Sequence, residues 1–136
     1  MSPSDAIRTH NDAWQARDPA RLVAMFAAGG LYEMPLLRSR MVGRAEIAEG
    51  LERGFAACRG VATEIGRLRE AGATAMAEGA MEATLAATGE RARIPFAMVA
   101  VVEGDAVRRF SVYLDARPFR LWSDGPVIAL DRETRT

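Results

Sequence analysis

Lysine is absent from the 136-residue sequence, and cysteine and histidine occur once each. Without lysine, the protein cannot form a Schiff base with a substrate or use a lysine as a base. The single cysteine, Cys58, excludes an internal disulfide and any zinc site built from several cysteines. The single histidine, His10, excludes HExxH and every other motif that needs several histidines. We therefore expect no metal site and no organic cofactor.

An excess of charge and a long hydrophobic run are also missing. Basic and acidic residues number 18 each, so no basic surface is predicted for nucleic acid or for an anionic membrane. The longest apolar run, IPFAMVAVV at residues 94–102, is far shorter than the ~20 residues of a membrane helix. The first residues, MSPSDAIRTH, lack the apolar core of a secretion signal. These features favour a cytoplasmic protein without a nucleic-acid or membrane partner.

The composition itself is that of a globular domain. Hydrophobic residues make up 49% of the chain and charged residues 26%, and a chain of this length is typical of one domain. We assign residues 1–136 to a single domain, with its core over about residues 4–121 and a C-terminal tail over residues 122–136.

The N-terminal half shows helical periodicity. SPSD is typical of a helix start, and the apolar positions after it predict a helix that ends near Arg17. A second short helix is expected to begin at Asp18-Pro19, to include Phe26 and to end at Gly29-Gly30. LYEMP follows as a short strand, LLRSRMV shows no clear period, and RAEIAEGLERGFAAC is predicted as a third helix.

From Gly60 onward, apolar and polar residues alternate as in strands. The alternation predicts four strands, over Val61–Glu70, Thr74–Ala86, Arg91–Val102 and Ala106–Leu114. The turns between them, AGA, ATGE and EGD, each contain a glycine that can adopt a positive φ, and such short turns imply antiparallel pairing. The order of elements predicts an α+β domain with helices on one face of a sheet.

The chain resembles the SnoaL-like domains in the order of its segments. A first helix is followed by RDPARLVAMFAAGGLYEMP, then VGRAEIAEGLERGF, then the long strands, and then FSVYLDARPF. These belong to the superfamily of nuclear transport factor two and ketosteroid isomerase. The resemblance spans roughly residues 4–121. It implies a conical fold with a curved antiparallel sheet wrapped around three N-terminal helices, an enclosed apolar pocket, and a homodimer formed through the outer face of the sheet. Members include polyketide cyclases, ketosteroid isomerases, epoxide hydrolases, dehydratases and non-catalytic binding modules, so the fold alone does not decide the function.

The catalytic positions of the ketosteroid isomerases are largely replaced in this sequence. The resemblance places their base carboxylate at Met34, their tyrosine of the first helix at His10, and their protonated aspartate near Met98. Both carboxyl groups on which that mechanism depends are thus methionines here. Steroid isomerisation by that mechanism is therefore not expected.

The epoxide hydrolases offer a second set of positions. The resemblance places their water-holding tyrosine at Leu31 and their asparagine at Glu33. Their remaining polar positions fall near Gly79, Met81 and Val112. Of this set only Glu33 is a polar side chain, so the activity is not carried over as a whole.

Two residues are the candidates for acid–base chemistry. His10 lies on the apolar stripe of the first helix, where an imidazole could move a proton or donate a hydrogen bond to a ligand oxygen. The alternative is a half-buried histidine bonded to main chain or water. Glu33 could point into the pocket, where desolvation would raise its pKa to a useful value. The alternative is that Glu33 faces solvent and Tyr32 or Met34 faces inward.

A larger set of residues is predicted to bind a ligand because the strand alternation and the resemblance place them on the inward side. The set is Trp14, Tyr32, Met34, Phe55, Met81, Leu85, Met98, Phe110, Val112 and Leu114. The alternative is ordinary core packing without a cavity. The sequence thus suggests a small hydrophobic metabolite as partner, and a cofactor-free isomerase, cyclase, dehydratase or epoxide hydrolase. The alternative function is a non-catalytic ligand-binding or dimerising module.

Overall fold

The computed structural model describes residues 1–115; the predicted end of the core at residue 121 and the tail at 122–136 lie outside the described residues. Three α-helices are present, α1 (Pro3–Ala16), α2 (Pro19–Ala24) and α3 (Arg44–Ala57), with a short 3-10 helix at Pro35–Leu37. The strands are β1 (Phe26–Met34), β2 (Ser39–Val42), β3 (Cys58–Ala71), β4 (Thr74–Leu85), β5 (Arg91–Glu103) and β6 (Ala106–Leu114). None of the helices in this part of the chain is long and apolar enough to cross a membrane.

The first two helices begin where capping side chains satisfy free main-chain N–H groups. Ser2 accepts from the main-chain N–H of Asp5, and the Asp5 carboxylate accepts in return from the N–H of Ser2. Helix α1 ends at Ala16, and the next residue, Arg17, caps it with a left-handed φ of 53°. The Asp18 side chain then caps α2 by accepting from the N–H of Arg21.

The six strands form one sheet in the order β2-β1-β6-β5-β4-β3. Strands β3 to β6 form an antiparallel meander. The turn glycines between them, Gly72, Gly89 and Gly104, have φ values of 58°, 76° and 63°. The expectation of a wholly antiparallel sheet is corrected at one place, because β1 runs parallel to β6 and the sheet is mixed. Strand β2 was not predicted because its four residues are too few to show an alternation.

Strand β1 begins at Phe26, five residues before the predicted start, and α2 is correspondingly shorter. Tertiary pairing explains the difference, since the N–H of Val107 donates to the carbonyl of Met25 at 2.8 Å. At Gly30, a Cβ would lie 2.9 Å from the carbonyl oxygen of Val107. Gly30, one of the two glycines that we interpreted as a helix stop, therefore allows β1 to approach β6 closely, whereas a Cβ on Gly29 would meet no neighbour.

The helices pack on one face of the sheet and bury the core against it. Helix α1 contacts β3, β4 and β5, while α3 contacts β1, β2 and β3. The two glycines inside α3 allow it to lie close to side chains of β2 and of α1. A Cβ on Gly50 would collide with the Met41 side chain, and one on Gly54 would lie 2.8 Å from the Trp14 ring. The α+β class with three N-terminal helices against a sheet is confirmed.

Candidate functional site

A cavity of about 350 Å³ lies between the helices and the inner face of the sheet. Its size falls in the range of small-molecule sites, roughly 300–1,000 Å³. The described residues that line it are His10, Asn11, Trp14, Tyr32, Met34, Leu37, Ser39, Met41, Gly50, Arg53, Gly54, Ala57, Cys58, Val61, Thr63, Met81, Phe96, Met98, Val112 and Leu114.

Most of the cavity wall is apolar and comes from alternate positions of the strands. Met98 on β5 pairs with Val112 on β6, so both side chains point to the inner face. Met34, Met41 and Met81 also line the wall. Methionine is flexible and polarizable, so a wall with four of them can adapt to ligands of different shapes.

The polar end of the cavity is a chain of hydrogen bonds between α1 and β1. The His10 Nε2 atom lies 2.7 Å from the Tyr32 hydroxyl oxygen, and the Trp14 indole N–H donates to the same oxygen at 3.3 Å. The His10 Nδ1 atom lies 2.8 Å from the Oδ1 atom of Asn11. His10, Asn11 and Tyr32 are each at most 3% exposed. Four side chains of one hydrogen-bond network, three of them buried, thus line the cavity.

The direction of each hydrogen bond follows from the chemistry of its partners. Because Asn11 Oδ1 can only accept, Nδ1 of His10 must carry the ring proton. Nε2 then accepts, and the Tyr32 hydroxyl is its donor. The tyrosine oxygen accepts in turn from Trp14. The chain therefore runs from the indole N–H through the hydroxyl and the imidazole to the Asn11 carbonyl.

Burial keeps this network uncharged at neutral pH. Desolvation lowers the pKa of His10 to about 4, although its hydrogen bond to Asn11 acts in the opposite direction. Desolvation also raises the pKa of the Tyr32 hydroxyl, which the hydrogen bond from Trp14 partly offsets. A neutral imidazole next to a neutral phenol can accept and return a proton without an ion pair at rest.

Aromatic packing holds the imidazole in place. The His10 ring stacks on Phe110 with centroids 4.3 Å apart and planes 14° from parallel. Phe110 on β6 pairs with Tyr32 on β1, so both point to the inner face. The Tyr32 ring meets the His10 ring edge-on at 5.6 Å. The orientation of the ring is thus set by α1, β1 and β6 together.

Asn11 is the member of this hydrogen-bond network that was not predicted from the sequence. Its Nδ2 atom is buried and has no hydrogen-bond partner among residues 1–115. The sequence contained a signal, because Asn11 follows Ile7 by four residues and precedes Trp14 by three, which places it on the same helical face. A polar amide on an apolar helix stripe is unusual enough to mark a candidate site.

The structure brings together many of the predicted site residues. His10, Trp14, Tyr32 and Met34 line the cavity, as do four residues from the sheet, which are Met81, Met98, Val112 and Leu114.

Three predicted ligand-binding residues, Phe55, Leu85 and Phe110, are not among the described residues that line the cavity. Phe55 stacks on Trp14 at 4.3 Å, and Phe110 packs behind the His10 ring. Leu85 is 1% exposed and pairs with Cys58 at one end of the sheet. All three side chains are buried in the core.

Glu33 does not reach the cavity. Successive side chains of a strand point to opposite faces, and Tyr32 occupies the inner face. The Glu33 carboxylate accepts from the Ser111 hydroxyl at 2.9 Å and lies 3.5 Å from the Arg109 Nε atom. The epoxide-hydrolase positions that we matched to Leu31 and Glu33 accordingly lie one residue away from the inward-facing Tyr32 and Met34.

Charged and reactive groups are sparse around the cavity. No Asp or Glu of residues 1–115 lines it, and Arg53 is its one formally charged lining residue. Burial raises the pKa of the Cys58 thiol to about 11, partly offset by the Arg17 charge, so the thiol is a poor nucleophile. Within the described part of the chain, no group of three or more His, Cys, Asp or Glu is placed to hold a metal ion.

Comparison with known proteins relates this geometry to a family. The SnoaL-like domain family matches residues 7–110. No curated protein matches the sequence.

Several solved structures are similar. One is a hypothetical protein with a ketosteroid isomerase-like fold from Catenulispora acidiphila, in complex with trimethylamine, at TM-score 0.75 and 22% identity over 83% of this chain and 86% of that one. An LEH-like epoxide hydrolase of M. tuberculosis has a TM-score of 0.71 and 20% identity over 96% of each chain. A protein described as a SnoaL-like polyketide cyclase from Shewanella putrefaciens has a TM-score of 0.76 and 15% identity over 88% of this chain and 95% of that one. At these low identities, the similarity shows that the fold is shared and shows nothing more.

Proposed function

The chain belongs to the family of SnoaL-like domains, and on that premise we propose that its cavity binds a small, mainly apolar molecule. The observation that carries the proposal is the cavity of about 350 Å³ with apolar walls and one polar end. Small-molecule sites typically combine such walls with a few converging polar groups that orient the ligand. Structural neighbours of the same fold include a protein in complex with trimethylamine and an epoxide hydrolase, so the fold can hold a small molecule.

A pair of matched substitutions tests the binding proposal. Met98→Trp places a large ring inside the cavity, whereas Val42→Trp places the same ring at a position that is 45% exposed and does not line the cavity. Calorimetry with a panel of cyclic ketones, epoxides and aromatic compounds should show binding to the wild type and to Val42→Trp. Met98→Trp should weaken it at least about tenfold, because the side chain occupies the ligand's volume. Equal binding to all three proteins would place the ligand elsewhere.

The hydrogen bond of 2.7 Å between His10 and Tyr32 favours a second candidate function, cofactor-free acid–base catalysis. A substrate proton can pass to the Tyr32 oxygen while the Tyr32 hydroxyl hydrogen moves to Nε2 of the imidazole, and the reverse transfer returns a proton to another atom of the substrate. Isomerisation or cyclisation would need only such transfers, and epoxide hydrolysis would also need a water molecule that adds to the ring carbon. His10 and Tyr32 thereby replace the pair of His10 and Glu33 that the sequence suggested.

Turnover measurements separate catalysis from binding alone. With a substrate from the same panel, His10→Gln and Tyr32→Phe should each lower kcat by at least about 10²-fold. Glu33→Gln is the matched control and should retain wild-type turnover, since its carboxylate lies outside the cavity. Loss of turnover in Glu33→Gln alone would refute the assignment. Binding without turnover would support a non-catalytic module.

We also propose a homodimer through the outer face of the sheet. The helices cover the inner face, and the outer face presents Met76, Val99 and Tyr113 among charged residues. Unpartnered apolar sheet surface of this kind is typical of interaction sites. Light scattering should give twice the chain mass for the wild type and a monomer for Met76→Glu. A monomeric wild type at micromolar concentration would refute the proposal. The cytoplasmic location stays a prediction.

A further inference from the structure

We infer that the Asn11 carboxamide selects ligands that carry a neutral carbonyl group, which it binds through its Nδ2 hydrogens. The inference rests on the proposed binding function and adds the class of ligand and the residue that selects it. Asn11 is 3% exposed and lines the cavity, and its Nδ2 atom has no acceptor within the described residues. A buried donor without an acceptor is destabilising, so an acceptor supplied by the ligand would be favoured.

The orientation of the amide is set by its neighbour. Oδ1 accepts from Nδ1–H of His10 at 2.8 Å, so the two hydrogens on Nδ2 remain for another partner. Because the imidazole is stacked on Phe110, it holds the amide in this orientation. Asn11 is thus a donor whose direction is fixed before any ligand arrives.

The other hydrogens of the polar end are already committed. The indole hydrogen of Trp14 is donated to Tyr32, and the Tyr32 hydroxyl hydrogen is donated to His10. The ring hydrogen of His10 is donated to Asn11. The free hydrogen-bonding capacity of the network for a ligand oxygen is therefore the pair of Nδ2 hydrogens.

This distribution of donors distinguishes three kinds of ligand with the same carbon skeleton. A ketone brings an acceptor and no hydrogen of its own, and so it matches the amide. An alcohol must also find an acceptor for its hydroxyl hydrogen, and a hydrocarbon leaves the amide unpaired. No carboxylate from residues 1–115 lines the cavity to hold a cationic ligand. We expect the order of affinity to be ketone, then alcohol, then hydrocarbon.

Camphor, borneol and bornane provide such a set, because they share one skeleton and differ only at the oxygen. Camphor should bind the wild type about tenfold more tightly than bornane, with borneol between them. Asn11→Leu keeps similar volume without a donor and should bring the camphor-to-bornane ratio close to one. Met98→Leu is the matched control in the apolar wall of the same cavity, and it should change both affinities while leaving their ratio as in the wild type.

A measurement on the unmodified chain covers the case in which Asn11→Leu does not fold. The sequence contains one asparagine, Asn11, and one glutamine, Gln15. Its proton–nitrogen-15 spectrum therefore contains only two side-chain carboxamide pairs. Camphor should shift the Asn11 pair downfield, and bornane should not. The Gln15 pair is the internal reference, since Gln15 is not among the described residues that line the cavity.

The outcomes distinguish this inference from the function on which it rests. Equal affinity of the wild type for camphor and bornane would overturn the inference and leave the binding function intact. So would a preference for camphor that survives in Asn11→Leu, or an Asn11 resonance that camphor does not move. Failure of all three compounds, and of the wider panel, to bind the wild type would overturn both.

Discussion

Protonation of His10 should destabilise the folded protein as the pH falls below neutral. Desolvation lowers the pKa of this imidazole from 6.5 to about 4. One pKa unit corresponds to about 1.4 kcal/mol of differential stability, so the shift is equivalent to roughly 3 kcal/mol. The free energy of unfolding of such domains is about 5–15 kcal/mol in total. A single buried side chain thus controls a substantial part of the stability.

The sign of the effect follows from which state binds the proton first. Between pH 6.5 and about 4, the unfolded chain carries a protonated histidine while the folded protein keeps it neutral. The free energy of unfolding therefore decreases as the pH is lowered across this window. The stabilising contribution of the neutral imidazole is fully present above pH 6.5, and no more of it is lost below about pH 4.

Urea unfolding of the wild type and of His10→Gln, at a series of pH values across this window, measures the effect. Carboxylates titrate in both proteins, so the difference between their pH dependences isolates the imidazole. The difference should reach roughly 3 kcal/mol at the acidic end. Because His10 is the only histidine in the sequence, its ring resonances also report the folded-state pKa directly by NMR.

Two results would refute this reasoning about the buried network. One is a folded-state His10 resonance that titrates near pH 6.5, as an exposed imidazole would. The other is a wild-type protein that loses no more stability than His10→Gln when the pH is lowered. Either result would mean that water reaches the imidazole, and the neutral hydrogen-bond chain to Tyr32 and Asn11 would not hold.

Three further predictions concern packing and reactivity. Arg17→Met removes two hydrogen bonds of 2.7 Å to main-chain carbonyls at the end of α3, and it should lower the urea-derived free energy of unfolding by about 2 kcal/mol; a loss below about 0.5 kcal/mol would contradict this. Gly79→Ala should cost about 1–3 kcal/mol because its Cβ would collide with the main-chain oxygen of Glu64, whereas Gly60→Ala, in open space, should stay near wild type in the same measurement. The Cys58 thiol should react with Ellman's reagent far more slowly in the native protein than in urea, since burial raises its pKa to about 11; equal rates would show an accessible thiol.

Local sequence patterns were sufficient where the structure depends on neighbouring residues. The capping box at Ser2 predicted the start of α1, and the strands from β4 to β6 begin at their predicted residues. The turn glycines such as Gly72 adopt the positive φ that the sequence analysis allowed for them. These features depend on backbone preferences within a few residues, and that information is fully present in the sequence.

Partners distant in the chain decided the remaining features. From its neighbours in the sequence, Gly30 resembles a helix stop, and only its contact with Val107 shows that it lies in a strand. Strand β2 forms because it pairs with the edge of β1.

The choice between Tyr32 and Glu33 illustrates the same limit at the site. The sequence determined that this short strand carries a phenol and a carboxylate side by side. A shift of one residue exchanges the two faces of a strand, so only the pairing of Tyr32 with Phe110 could put the phenol against His10 and the carboxylate against Ser111. The sequence by itself determined the classes of element and an apolar inner face, because both follow from local periodicity. Tertiary structure decided which polar groups meet inside, because hydrogen bonds between α1 and β1 depend on how separate elements pack.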